Sequence, residues 1–128
     1  MPLSAKARAM LEAPNIGHLA TLMRDGSPQV SPVWVDTDGS HVLVNTAAGR
    51  IKWRNIRRDP RVAIDVTERD NPYQMLTIRG RVVEVRSEGA VSHIDKLAKK
   101  YTGRDSYGVQ PDEERVVLVI EPQTVSGE

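Results

Sequence analysis

The sequence predicts a mainly β protein: a small antiparallel barrel with a few helices at its ends and edges. Three observations carry this. The pairs Asp25-Gly26 and Asp38-Gly39 stand between short apolar-rich runs, where a tight hairpin needs residues that accept a left-handed backbone. The chain holds two Trp, three Tyr and no Phe, so Val, Ile, Leu and Ala must fill its core, and the branched ones among them suit pleated strands. Finally, strand-like runs outnumber helix-like runs by about two to one and are joined as hairpins, the pattern of a small barrel.

Each element follows in order. Ser4 caps a short helix running to about Ala13, with Ala7, Met10 and Leu11 inward and Pro14 as the stop. Residues 16–23 form the first strand, 24–27 the hairpin turn and 29–36 the return strand. After Asp38-Gly39, residues 41–46 form a third strand that leads into a helix over residues 50–59, ended by Pro60. Residues 61–67 and 73–86 are two further strands, separated by an irregular turn at 68–72. In the second, Leu76 and Ile78 have one parity and Val83 and Val85 the other, which predicts a bulge or bend at Gly80. Ser87 caps a helix to about Tyr101 whose apolar stripe is Ala90, Val91, Ile94, Leu97, Ala98 and Tyr101, and Gly103 ends it. Residues 104–113 are a polar connector, and 115–121, RVVLVIE, form a strand buried on both faces.

No repeat or linker divides the 128 residues, which predicts one domain, 1–128. A formal charge of +1 gives no field of the kind that gathers nucleic acid, and the arginine-rich helix lacks the interleaved aromatics of a single-strand binder. The chain has no cysteine, which excludes disulfides and thiol chemistry. No stretch approaches the roughly 20 apolar residues of a membrane span, and the opening segment MPLSAKARAMLEAP lacks a leader's apolar run. The expected location is the cytoplasm.

The most informative segment is Asn45-Thr46-Ala47-Ala48-Gly49-Arg50-Ile51-Lys52. Helix starts favour hydroxyl or carboxylate caps and acids in the first turn, because their N–H groups are unpaired and carry partial positive charge. Here Arg50 and Lys52 stand in the first turn with no acid nearby, and Thr46 is the nearest hydroxyl. A phosphate held by Thr46, Arg50, Lys52 and the N–H groups of Ala48, Gly49, Arg50 and Ile51 would satisfy both cations and donors. At helical spacing Trp53 and Ile56 face inward with Lys52 at the edge of that face, while Arg50, Arg54, Arg57 and Arg61 form an outer stripe. That stripe, with Arg58 beside it, offers a track for an acidic tail or else a solvated face.

Catalytic apparatus is otherwise absent from the sequence. His18, His41 and His93 lie in different elements without metal-ligand spacing, although His18 and His41 could meet across strands, and Asp36, Asp65 and Glu84 are expected on exposed faces. An anion cradle without an acid–base pair or nucleophile points to chemistry supplied by a bound cofactor. Pro32, which lacks an N–H, would weaken a central ladder, so the second strand is either an edge or a ligand wall, with Trp34 on the same side.

These residues carry a resemblance. Gly26-x-Pro28-Gln29-Val30-Ser31-Pro32-Val33-Trp34, then Asn45-Thr46, Arg50-x-Lys52-x-Arg54-Asn55-Ile56-x-x-Asp59-Pro60-Arg61, Asn71-Pro72-Tyr73 and Ile78-Arg79-Gly80 resemble the pyridoxamine-phosphate-oxidase-like family, and within it the actinobacterial reductases that use the deazaflavin coenzyme F420. The resemblance implies an FMN-binding-like split β-barrel and a homodimer with cofactor sites at the subunit interface. It implies phosphate binding by Thr46, Arg50 and Lys52 and a ring lined by Gln29, Val30, Ser31, Pro32 and Val33. Asn55 and Tyr73, inside matching blocks, complete the expected cofactor-binding set. The implied activity is hydride transfer from reduced F420 to a small unsaturated or quinone-like acceptor; the alternative is an FMN- or haem-type cofactor protein on the same fold. The second strand, Ser-Pro-Val-Trp-Val, departs from the Arg-x-Val-Leu-Leu-Lys pattern of true pyridoxamine-phosphate oxidases, and the C-terminus lacks the Arg and His of that enzyme's substrate site.

Overall fold

The structure, a computed structural model, describes residues 3–128; Met1 and Pro2, part of the opening segment read for a leader, lie outside the described residues. Helix α1 (Ala5–Glu12) begins at Ser4, whose hydroxyl accepts the N–H of Ala7, and buries Ala7, Met10 and Leu11 as the periodicity predicts. Strand β1 (Ile16–Leu22) pairs with β2 (Pro28–Trp34) through a turn in which Gly26 takes φ 87°. The strand predicted over 29–36 is broken at Val35. Its last part is a separate short strand, β3 (Asp36–Thr37), which pairs across Gly39 (φ 99°) with β4 (Val42–Ala47).

Helix α2 (Ile51–Arg58) follows, then β5 (Arg61–Glu68) and the long β6 (Asn71–Arg86). The irregular turn expected at 68–72 is tighter, because pairing continues to Glu68 opposite Asn71. Helix α3 (Ala90–Thr102) is capped by Gly89, not Ser87, and Ser87 instead accepts the Ala90 N–H with its carbonyl. Gly103 ends α3 in the left-handed conformation, as expected of a glycine stop. Strand β7 (Arg115–Ser126) outruns the predicted 115–121, because its second half pairs with the first half of β6.

The strands form one seven-stranded sheet in the order β2-β1-β5-β6-β7-β4-β3, antiparallel throughout. It is a curled half-barrel, the split-barrel architecture expected from the hairpins. The main core, including Leu19, Val35, Val44, Ile64, Leu76, Ile78, Leu118 and Ile120, lies on the sheet's concave side, with α1 and Ile56 of α2 packed into it and Trp53 at its edge. A smaller cluster of Leu43, Val117 and Val119 meets Ala90 of α3 on the opposite face.

The predicted irregularity at Gly80 is present as two register shifts between β6 and β7, at Arg79/Gly80 and Val82/Glu84. A Cβ at Gly80 would lie 2.1 Å from the Glu121 carbonyl oxygen, so the close strand approach requires glycine there. The second shift makes Val83 the extra residue of a bulge and sets Val85 opposite Leu118, and both valines remain exposed. Two further expectations are corrected. Val91 is half exposed rather than part of the α3 stripe, because the packing surface under α3 ends at Ala90 and Ile94. Asp36 is buried rather than exposed, because α3 covers it and supplies its partners.

Candidate functional site

The sheet order leaves β2 at one edge. Strand β4 is nearly an edge too, because β3 covers only Val42 and Leu43. The seam between these edges is a cleft of about 290 Å³. One wall is Pro32, Val33 and Trp34 of β2; the other is Asn45 and Thr46 of β4, Arg50 and Lys52 at the start of α2, and Arg115 of β7. Ile16, Ile94 and Tyr107 close the remaining sides. The edge-strand reading of Pro32 therefore holds: β2 pairs with β1 alone, and an edge strand tolerates a residue without an N–H.

Thr46 is 1% exposed, and its hydroxyl has no hydrogen-bond partner among the described residues. A buried, unpaired hydroxyl costs about 1–3 kcal/mol and is unusual unless a ligand or ion completes it. Beside it, α2 starts at Arg50 without a side-chain cap and without an acid in the first turn. Neither Arg50 nor Lys52 has a carboxylate partner among the described residues. Burial pushes the Lys52 ammonium below the usual lysine range, and the positive charges of Arg50 and Arg115 push it the same way. The donor set of the expected cradle is thus smaller than the sequence implied. The Ala48 N–H is bonded to the Glu114 carbonyl and the Arg50 N–H to that of Ala47, so both are already spent. Ile51 is the first helical residue, and its N–H has no acceptor within the helix.

Arg115, Asn45, Trp34 and Tyr107 join the expected residues on the cleft wall. Arg115 was expected only as the first residue of a buried strand. Its guanidinium donates from Nε to Asn45 Oδ1 at 2.9 Å and from Nη1 to Glu113 Oε2 at 2.6 Å, and lies 4.9 Å from the centre of the Tyr107 ring. Asn45 Nδ2 donates to the Ala90 carbonyl at 2.8 Å and contacts His93 Nδ1 at 3.1 Å, and His93 Nε2 reaches Asp36 Oδ2 at 3.0 Å. The uncapped start of α2 was a signal in the sequence; a lone arginine opening an apolar strand was not.

The other expected residues are placed differently. Ala48 and Gly49 line an open groove next to the cleft, with Arg50, Tyr107 and Glu113. Gln29, Val30, Ser31, Ile51 and Asn55 are outside the cleft wall, and Tyr73, 89% exposed, stands near the β5–β6 hairpin. Asn55 is buried and spent, donating to Thr21 Oγ1 at 3.0 Å and accepting from Arg58 Nη2 at 2.9 Å. Two of the outer arginines also have partners: Arg57 lies over the Trp53 ring at 4.5 Å and Arg61 pairs with Asp59 at 2.7 Å. His18 and His41 do not meet; each binds an aspartate, Asp65 and Asp38 respectively, at 2.9 Å.

A half-barrel whose open seam carries cations, an unpartnered hydroxyl and an aromatic wall is a cofactor-binding class of fold. The family description "Pyridoxamine 5'-phosphate oxidase" matches residues 3–127, and the chain belongs to that family. Among solved structures, it is similar to an F420 reductase of Mycobacterium smegmatis at 35% identity and TM-score 0.82, covering 94% of this chain and 96% of that one. It also resembles a conserved hypothetical protein of Mycobacterium tuberculosis, at 24% identity and TM-score 0.74, over 98% of this chain and 83% of the other. HupZ of Group A Streptococcus shares the fold at 17% identity and TM-score 0.68, over 96% and 91% of the two chains. The last two likenesses speak to fold alone. No helix among the described residues is long and apolar enough to cross a membrane.

Proposed function

We propose that this chain is an F420-dependent reductase acting on a small unsaturated or quinone-like acceptor. The observation that carries the reading is the buried, unpartnered Thr46 hydroxyl beside Arg50 and Lys52, cations without carboxylates at an uncapped helix start. The M. smegmatis relative, an F420 reductase by name, supports the choice of deazaflavin. Thr46, Arg50 and Lys52 would hold the cofactor phosphate. The free edge of β2 at Pro32, Val33 and Trp34 would offer unpaired backbone groups and a flat apolar surface to the ring. The chemistry supplied by the bound group is hydride transfer to the acceptor; the protein's share is binding, orientation and exclusion of water.

The cleft is open on one side, and a homodimer in which the second subunit closes it is part of the same proposal. Ile16 and Val30, 40% and 62% exposed near this seam, give that second subunit an apolar border. A chain without cysteine fits a reducing compartment, and we place it in the cytoplasm.

Titration of the protein with F420 and with FMN, followed through each chromophore, tests the reading. The expected result is a saturable spectral change with F420 at lower concentration than with FMN. Lys52→Ala should weaken F420 binding by about 2–3 kcal/mol, the scale of a lost charge-assisted contact, with unchanged circular dichroism. Tight FMN binding with no response to F420 would make this an FMN protein instead, and no response to either would overturn the reading.

A further inference from the structure

We infer that Arg115 is a direct anion ligand of the cleft, acting with Arg50 and Lys52, and that Asn45 and Glu113 are its positioning residues. The inference rests on the reading above only in that the cleft takes an anion.

Arg115 is costly to bury. Its side chain is 2% exposed, and a buried guanidinium persists only where its charge and N–H groups are met. Five N–H groups need acceptors. Nε is met by Asn45 and one Nη1 hydrogen by Glu113; Nη2 has no acceptor among the described residues, although the residue lines the cleft. The remaining donors therefore have the cleft as their outlet. In the β4–β7 ladder Arg115 stands opposite Ala47 and Thr46 opposite Val116, so the two side chains leave the sheet on opposite faces, yet both line the cleft together with Arg50 and Lys52.

The orientation of this guanidinium is fixed from behind. Asn45 Nδ2 donates to the Ala90 carbonyl, so turning the amide over would set two carbonyl oxygens against each other; Oδ1 must face Arg115. Because the same Nδ2 is a donor, His93 Nδ1 accepts and its Nε2–H donates to Asp36. A chain of bonds from Asp36 through His93 and Asn45 thus locks the fork before any ligand arrives, and the Tyr107 ring lies against it. A pre-set planar fork suits the oxygens of a phosphate better than a mobile ammonium does. Three cations, Arg50, Lys52 and Arg115, face one carboxylate, Glu113, whose acidity is raised mainly by its bond from Arg115.

The competing explanation is that Arg115 only pins Glu113 and its connector to the sheet. The two differ in what Glu113→Gln does to anion binding. If Arg115 binds the anion, Glu113 competes for the same guanidinium, and Glu113→Gln should tighten anion binding while keeping an acceptor for Nη1. If Arg115 is merely a pin, Glu113→Gln should lower stability and leave anion binding alone.

The probe is inorganic phosphate, and the measurement is the rise in Tm over chloride at matched ionic strength, for wild type, Arg115→Lys, Lys52→Ala and Glu113→Gln. We expect phosphate to stabilise wild type, about tenfold weaker apparent affinity in Arg115→Lys and in Lys52→Ala, and about threefold tighter affinity in Glu113→Gln. Wild-type phosphate response in both Arg115→Lys and Glu113→Gln overturns the inference, as does a wild type that gains nothing from phosphate. Should Arg115→Lys fail to fold, Glu113→Gln decides alone, since it leaves Arg115 in place. F420 binding without this phosphate pattern would sink the inference and spare the reductase reading; the pattern without F420 binding would do the reverse.

Discussion

Trp34 and Tyr101 stack ring on ring, with 5.1 Å between centroids and 5° between planes. The stack ties the cleft wall on β2 to helix α3, and the Tyr101 hydroxyl completes the tie. It donates to the Asn15 carbonyl at 2.6 Å and accepts from the Val35 N–H at 2.9 Å, at the point where β2 gives way to β3. Tyr101→Phe keeps the stack and removes both bonds, leaving two backbone groups unpaired. We expect a loss of about 1–3 kcal/mol in urea unfolding, with the near-ultraviolet signal of Trp34 retained. An unchanged unfolding midpoint would show that water replaces the hydroxyl at no cost.

Asn55 belongs to the block that most strongly suggests a cofactor site, yet its side chain joins α2 to β1 through Thr21 and orients Arg58. Asn55→Ala should destabilise the protein by about 2 kcal/mol, the scale of a buried polar network losing a member. Phosphate should still raise its Tm as in wild type. A large loss of the phosphate effect with normal stability would return Asn55 to the ligand set.

Acid should weaken the fold through Asp36. Burial alone would push its carboxyl up, but His93, the Thr37 N–H and Lys96 bind the charged form and hold it at about 2, against 3.8 for an ordinary aspartate. A carboxyl with a depressed folded pKa adds stability above the unfolded value and loses it as pH falls through the folded value. The contribution, about 2 kcal/mol, should therefore be full by about pH 5 and disappear between about pH 4 and 2. Asp36→Asn should flatten the stability profile in that window. A variant that retains the wild-type slope there would assign the acid response to other carboxylates.

Gly80→Ala tests the bend in β6. The added methyl would meet the Glu121 carbonyl at 2.1 Å, a contact that only separation of β6 from β7 can relieve. We expect a loss above about 3 kcal/mol or failure to fold, because the clash is with backbone and not with the end of a flexible side chain. A variant with wild-type Tm would show that the strands part there cheaply.

Much of this protein was legible in its sequence because the signals are local. Asp-Gly turns, the Ser4 cap, the Gly103 stop and Pro60 each act within a few residues, and the parity change around Gly80 is visible without knowing what lies across it. Thr46, Arg50 and Lys52 stood out for the same reason: an uncapped, cation-bearing helix start is a local contradiction that only something outside the chain resolves.

Other features depend on which element covers which face, and no local pattern encodes that. Asp36 and Val91 exchanged their expected environments because α3 lies over β3 and β4, burying the acid and leaving the valine outside. Asn55 reads in sequence like a polar residue beside a ligand, whereas in space it faces Thr21, 34 residues away. Arg115 opens an apolar strand and gains its role only when β7 pairs with β4, which brings Asn45, 70 residues distant, to its Nε. The sequence alone thus determined the half-barrel, its turns and the cationic end of α2, where each choice is made by neighbouring dihedrals and periodicity. Tertiary structure alone decided which buried polar groups are spent on the fold and which still face the cleft, because that depends on long-range strand pairing and helix packing.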